Sequence, residues 1–153
     1  MNVRPTKPSD TEALQRIVAA NQMFPPEILP DLIAGFFEGP GNSNDLWLCC
    51  EIDGAVAGFC YAVPQELAEG TWNMRAIAVD PSQQRGGVGT ALVKALATKL
   101  SRRGGRVLIA DTSSTADFAQ ARRFYLKTGY TEEARLRDFW AAGDDKVVFW
   151  KAL

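Results

Sequence analysis

The amino-acid sequence predicts a single α/β domain built on one mixed sheet. Three observations predict it. Strand-like runs rich in β-branched and aromatic residues alternate with amphipathic segments of helical period. Asp53-Gly54 separates two apolar runs and is the strongest short hairpin signal in the chain. A glycine-bearing loop, Gln84-Arg85-Gly86-Gly87-Val88-Gly89-Thr90, joins a strand-like run to a helix-like one. At 153 residues the chain reads as one domain spanning residues 1–153, large enough to bury a core without staples.

A short strand over Asn2 to Arg4 ends at Pro5. Ser9 or Asp10 can cap a helix to about Ala20, with Leu14, Ile17 and Val18 on its apolar face. Pro25-Pro26 breaks the chain. Ile28, Leu29, Leu32, Ile33, Phe36 and Phe37 follow at helical spacing until Gly39-Pro40-Gly41. Leu46 to Ile52 and Ala55 to Val63 flank the hairpin turn, and Thr71 to Val79 forms the next strand. The helix after the glycine loop places Val88, Ala91, Leu92, Ala95, Leu96 and Leu100 on one face and stops at Gly104-Gly105.

Arg106 to Ala110 reads as a short buried strand. Ser114-Thr115-Ala116-Asp117 has the form of a capping box for a last helix, closed by Gly129. On that helix Phe118, Ala121 and Tyr125 share a face. Two strands, near Tyr130 to Leu136 and Lys146 to Ala152, are joined by Gly143-Asp144-Asp145. The order is β-α-α-β-β-β-α-β-α-β-β.

The 46% hydrophobic and 23% charged fractions are those of an ordinary soluble globular protein. Seventeen basic and 18 acidic residues leave a net charge of −1, so no global field draws the chain to nucleic acid or to a membrane. Met1-Asn2-Val3-Arg4-Pro5 has no apolar leader region, and no apolar stretch approaches a membrane span. The expected location is the cytoplasm. With a two-residue turn at Asp53-Gly54, Cys49 and Cys50 face Gly58 and Ala57, and Cys60 faces Trp47; no disulfide is expected. The chain has no histidine, which removes the usual general base and the usual metal ligand. No metal site is expected.

Glycines at a strand-to-helix junction let backbone N–H groups converge on an anion, and the helix dipole adds to the attraction. The loop therefore reads as a phosphate or pyrophosphate cradle. It has no lysine, so it is not a P-loop. The dinucleotide pattern fits poorly because Leu92 stands where its third glycine belongs, although Asp111 lies at the distance of its acidic residue.

Ile77-Ala78-Val79-Asp80-Pro81, then Gln84-x-x-Gly87-x-Gly89, then Ala121-x-x-Phe124-Tyr125-x-x-x-Gly129-Tyr130 strongly resembles the GNAT family of acyl-CoA-dependent N-acyltransferases. Arg4-Pro5 with Ser9-Asp10 looks like that family's start, so the resemblance covers essentially the whole chain. It implies a splayed, mostly antiparallel sheet flanked by helices, with acetyl-CoA wedged between the strands ending near Val79 and Ala110. Pantetheine would pair with the backbone of Ile77, Ala78 and Val79. The pyrophosphate would sit on Gln84, Arg85, Gly86, Gly87, Val88, Gly89 and Thr90.

Tyr125 would stand near the thioester sulfur as general acid, with Phe124 in the core. Two positions depart from the family. Phe118 stands where many relatives carry an asparagine that contacts the cofactor. Asn73 stands where some carry a glutamate, and it can orient a water but cannot take a proton. Glu66, Glu69 and Asp111 are the remaining base candidates. Trp72 and Trp140 (with Phe139) are candidates to line the acceptor pocket, and Asp138, Asp144 and Asp145 to attract a cationic amine. The implied function is acetyl transfer to an amine of a small molecule or protein by direct attack. A non-catalytic acyl-CoA binding module and a dinucleotide oxidoreductase are its rivals. Dimers are common among relatives, so a homodimer is an expected form.

Overall fold

The computed structural model describes residues 1–153. The strands are β1 (Asn2–Pro5), β2 (Leu46–Ile52), β3 (Ala55–Pro64), β4 (Thr71–Val79), β5 (Val107–Ser113), β6 (Thr131–Ala141) and β7 (Asp144–Ala152). The helices are α1 (Thr11–Ala20), α2 (Leu29–Glu38), α3 (Val88–Arg102) and α4 (Ala119–Lys127). This is the order the sequence predicts, with short 3₁₀ turns leading into α1, α2 and α4. The seven strands form one mixed sheet in the order β1-β2-β3-β4-β5-β7-β6. Every pairing is antiparallel except β4 with β5.

The two sheet faces carry separate cores. Alternation along β2 sends Leu46, Leu48 and Cys50 to one face and Trp47 and Cys49 to the other. The first set joins Val88, Leu92, Val93, Leu96 and Leu100 of α3 and Tyr125 of α4. The second joins Leu14, Ile17 and Val18 of α1 and Leu29 and Ile33 of α2. Trp47 stacks on Tyr61 at 4.1 Å between ring centroids.

Two bulges reset the strand registers. Asp53 and Gly54 make the predicted turn with φ of 50° and 79°. Beyond it, however, Glu51 pairs with Val56 while Cys50 pairs with Gly58, leaving Ala57 as an extra residue. The predicted pairings are therefore wrong by one: Cys49 faces Phe59 and Cys60 faces Leu48. The Ala57 carbonyl thereby accepts the Asp80 N–H at 2.8 Å, which holds the entry to the glycine loop. All three cysteines are buried and free, as expected.

In β4, Ala76 pairs with Tyr61 and Met74 with Ala62, so Arg75 is the bulged residue. Trp72 and Met74 then face α3, whereas Ala76 and Ala78 face α1 and α2. Three local details also differ from expectation. Asp10 closes a 3₁₀ turn before α1 and makes no side-chain cap to it. Instead of a capping box there is a 3₁₀ turn over Ala116–Phe118 with no side-chain cap from Thr115, whose own N–H donates to Ser113 Oγ. β7 starts at Asp144, so the last hairpin turns at Ala142-Gly143.

Asp10 instead binds Arg4 through two oxygens at 2.7 and 2.9 Å, while Arg4 Nε donates to Glu51 at 2.9 Å. This links β1, β2 and the start of α1. The Arg4 guanidinium holds the Asp10 carboxyl below the usual carboxylate range. Replacing Arg4 with methionine strands a 7%-exposed Asp10 and is expected to cost about 2 kcal/mol in urea unfolding. Because the folded pKa of Asp10 is depressed, its contribution is full above about pH 4 and is lost as pH falls through the lowered value. Asp10→Asn should therefore flatten the acid limb of stability against pH, measured by urea midpoints.

Candidate functional site

β4 and β5 pair only through Thr71–Val107, Trp72–Leu108 and Asn73–Ile109. Beyond Asn73 the two strands separate. From Met74 to Val79 one edge of β4 has no strand partner, which leaves a wedge with its apex at Asn73 and Ile109. The β5 side of the wedge runs to Ser113, three residues further than the sequence predicts. At the mouth stand the glycine loop and the first turn of α3.

The loop is built to leave amides free. The Asp80 carboxylate accepts from Ser82 N–H and Oγ, fixing the 3₁₀ turn over Pro81–Gln83. Gln84 is extended, Arg85 has φ 69°, and Gly87 has φ 85° at the N-cap of α3. The N–H groups of Arg85, Gly87, Val88, Gly89 and Thr90 donate to no backbone carbonyl; the first helical bond is Ala91 N–H to Gly87 O. Left-handed residues at Arg85 and Gly87, leading into a helix N-terminus, leave consecutive N–H groups able to converge on an anion. A Cβ at Gly87 would meet nothing within 4 Å, so its glycine serves the left-handed turn. Gly89 has a different task. A Cβ there would lie 2.9 Å from Phe124 Cε2, so this glycine lets α3 and α4 approach.

Tyr125 projects from α4 into the α3-side core, 8% exposed. Its ring packs on Phe149 at 5.1 Å and edge-on to Tyr130 at 5.3 Å. Burial, with a smaller effect of the Asp111 charge, pushes its pKa up to about 12. The phenol is thus a proton donor throughout the neutral range. Phe118 does not share its environment: it is 47% exposed at the N-cap position of α4.

The remaining predicted residues separate into groups. Asn73 is half-buried at the wedge apex, on the sheet face opposite Trp72 and Met74. Trp72 is 8% exposed in the α3-side core and borders a cleft with Phe36, Pro64 and Arg103, away from the glycine loop. It does not line the wedge, because the Arg75 bulge fixes its face. Asp138 lies in the bulged part of β6: it has φ 53°, and its carboxylate accepts the Gly143 N–H of the following turn at 2.9 Å. Trp140 is half exposed and its Nε1 donates to Thr112 O at 3.2 Å, beside the β5 wall. Glu66 and Glu69 are exposed in the turn before β4.

Two features escaped the sequence. Asn21 Nδ2 donates to Val79 O at 3.0 Å, tying the end of α1 to the wedge mouth. Asp111 lies 3.3 Å from Lys146 on the β5–β7 face. Neither contact has a local sequence signal, because each joins residues distant in the chain.

Burial disfavours the thiolate form of all three cysteines. It pushes the Cys49 thiol up to about 11 and raises Cys60 further; the carboxylate beside Cys49, Asp10 Oδ2 at 3.9 Å, is engaged by Arg4. In native buffer at pH 8, iodoacetamide should leave Cys49 and Cys60 unlabelled, whereas denaturant should expose all three thiols to mass-spectrometric detection. No group of three or more metal-binding side chains occurs in the structure, and no helix is long and apolar enough to cross a membrane.

The sequence model of the acetyltransferase (GNAT) family matches residues 13–130. Among solved structures, a GNAT-family protein from Desulfovibrio desulfuricans is 29% identical with a TM-score of 0.91, over 99% of this chain and 98% of that one. A protein from Salmonella typhimurium solved with acetyl-CoA is 20% identical, with a TM-score of 0.82 over 100% and 94% of the two chains. An aminoglycoside 6'-N-acetyltransferase complexed with coenzyme A is 17% identical, with a TM-score of 0.80 over 99% and 97%. No curated protein gave a significant match.

Proposed function

The chain belongs to the acetyltransferase (GNAT) family, and on that premise we propose that it transfers acetyl from acetyl-CoA directly to an amine. The observation that carries this reading is the wedge between β4 and β5, closed at its mouth by the free amides of Arg85 and of Gly87 to Thr90. A wedge lined by an unpaired strand edge suits the amide groups of pantetheine, and the amide nest suits the pyrophosphate. Acetyl-CoA supplies an acyl group activated as a thioester.

The chain supplies the rest. The free edge of β4 from Ile77 to Val79 orients the pantetheine and presents N–H groups to the thioester carbonyl. Tyr125 holds a proton for the departing thiolate. Asn73, at the apex, orients a water that carries the amine's proton away. Binding both reactants in register supplies much of the rate. The absence of an activated cysteine favours direct attack over an acyl-enzyme.

The test is to incubate the protein with acetyl-CoA and a panel of amines, following free thiol and the mass of each amine. Thiol release that requires an amine and yields an acetylated product supports the reading. Acetyl-CoA binding with no turnover on any acceptor would instead support a binding module.

A further inference from the structure

The sheet face beyond the wedge carries an arrangement that the transfer chemistry leaves unused. Asn73 and Ile109 are paired and share a face, and Asp111, two residues on, lies on that same face. The helices α1 and α2 pack on β2, β3 and β4 and leave this part of the sheet uncovered. The Asp111 side chain is 17% exposed and its Oδ1 is buried with no donor from the protein. Its Oδ2 lies 3.3 Å from Lys146 Nζ, which in turn sits 4.5 Å above the centroid of the Phe139 ring. A carboxylate on one side and an aromatic face on the other is the chemistry that recognises an ammonium group.

The aromatic wall is held in place. Three extra residues of β6 bulge out between Leu136 and Ala141 and carry Phe139. Asp138 N–H donates to Asp145 Oδ1 at 2.9 Å, and Trp140 Nε1 is fastened to Thr112 O. These bonds fix the residues on both sides of Phe139.

We propose that Asp111 and Phe139 form a subsite for a second ammonium group on the acceptor, so that the acceptor is a di- or polycationic amine. The proposal rests on the acetyl-transfer reading above. The nitrogen held here is not the one that reacts, because a carboxylate contact stabilises the protonated form and attack needs the neutral amine. Lys146 occupies the subsite in the free protein and satisfies only one carboxylate oxygen. An acceptor ammonium displaces it and reaches the buried Oδ1 as well. Asp111 is thus a positioning and specificity residue, and Lys146 its intramolecular competitor.

The two residues should therefore act in opposite directions, whereas a purely structural ion pair would make them act alike. The experiment is calorimetric titration of α,ω-diaminoalkanes, and of n-alkylamines of the same lengths, into the protein saturated with CoA. Wild type should bind the best diamine about tenfold more tightly than its matched monoamine. Asp111→Asn should abolish that preference, while Lys146→Gln should tighten diamine binding about threefold. Equal binding of mono- and diamines to wild type, or weaker diamine binding in Lys146→Gln, would overturn the proposal while leaving acetyl transfer intact. Failure of wild type to bind CoA would overturn both.

Discussion

Tyr125→Phe is expected to lower turnover about a hundredfold while leaving the Kd for acetyl-CoA within about twofold. The substitution removes one oxygen and keeps the ring that packs on Phe149 and Tyr130, so the core around α4 survives. The effect must fall on the step in which sulfur takes a proton. With its pKa pushed up to about 12, Tyr125 should produce no falling limb in the pH–rate profile between pH 7 and 10. Steady-state kinetics with the best amine, alongside acetyl-CoA titrations, read both quantities. Equal losses in turnover and affinity would mean that the hydroxyl helps to hold the cofactor rather than to protonate the departing sulfur.

Gly87→Val is expected to weaken CoA binding at least about tenfold. At φ 85° a β-branched side chain costs about 1–3 kcal/mol, and the loop relieves that strain by rotating the amides of Val88 to Thr90 out of the nest. Nothing lies within 4 Å of a Cβ at this position, so the loss arises at the ligand rather than in the fold. Gly89→Ala provides the contrast. Its Cβ would sit 2.9 Å from Phe124 Cε2, so it should lower the unfolding midpoint by pushing α4 away from α3. Calorimetry with CoA and thermal melts of both variants separate the two roles.

These contrasts mark what could be read from the chain. The element order was legible because each helix and strand carries its own period and its own stop: Gly39 after α2, Asp53-Gly54 between β2 and β3, Gly104 after α3. The anion loop was legible because left-handed φ at Gly87 is a local property. The bulges at Ala57 and Arg75 were not, since an extra residue in a strand is set by what lies across the sheet.

That is why the cysteine pairing slipped by one and why the face taken by Trp72 could not be read from its own strand. Below the Arg75 bulge its face is the α3 core. The bond from Gly143 N–H to the Asp138 carboxylate is likewise set by the β6 bulge and has no local signal. The Asp111, Lys146 and Phe139 group depends on three strands meeting, which no window of sequence contains.

The central claim is that the β4–β5 wedge and the amide nest hold coenzyme A. Backbone amide NMR during titration with CoA tests it most directly. The account predicts the largest shifts at Arg85 to Thr90 and at Ile77 to Val79, with small ones in β1 and β2. Saturable binding that leaves Arg85 to Thr90 unmoved would contradict it.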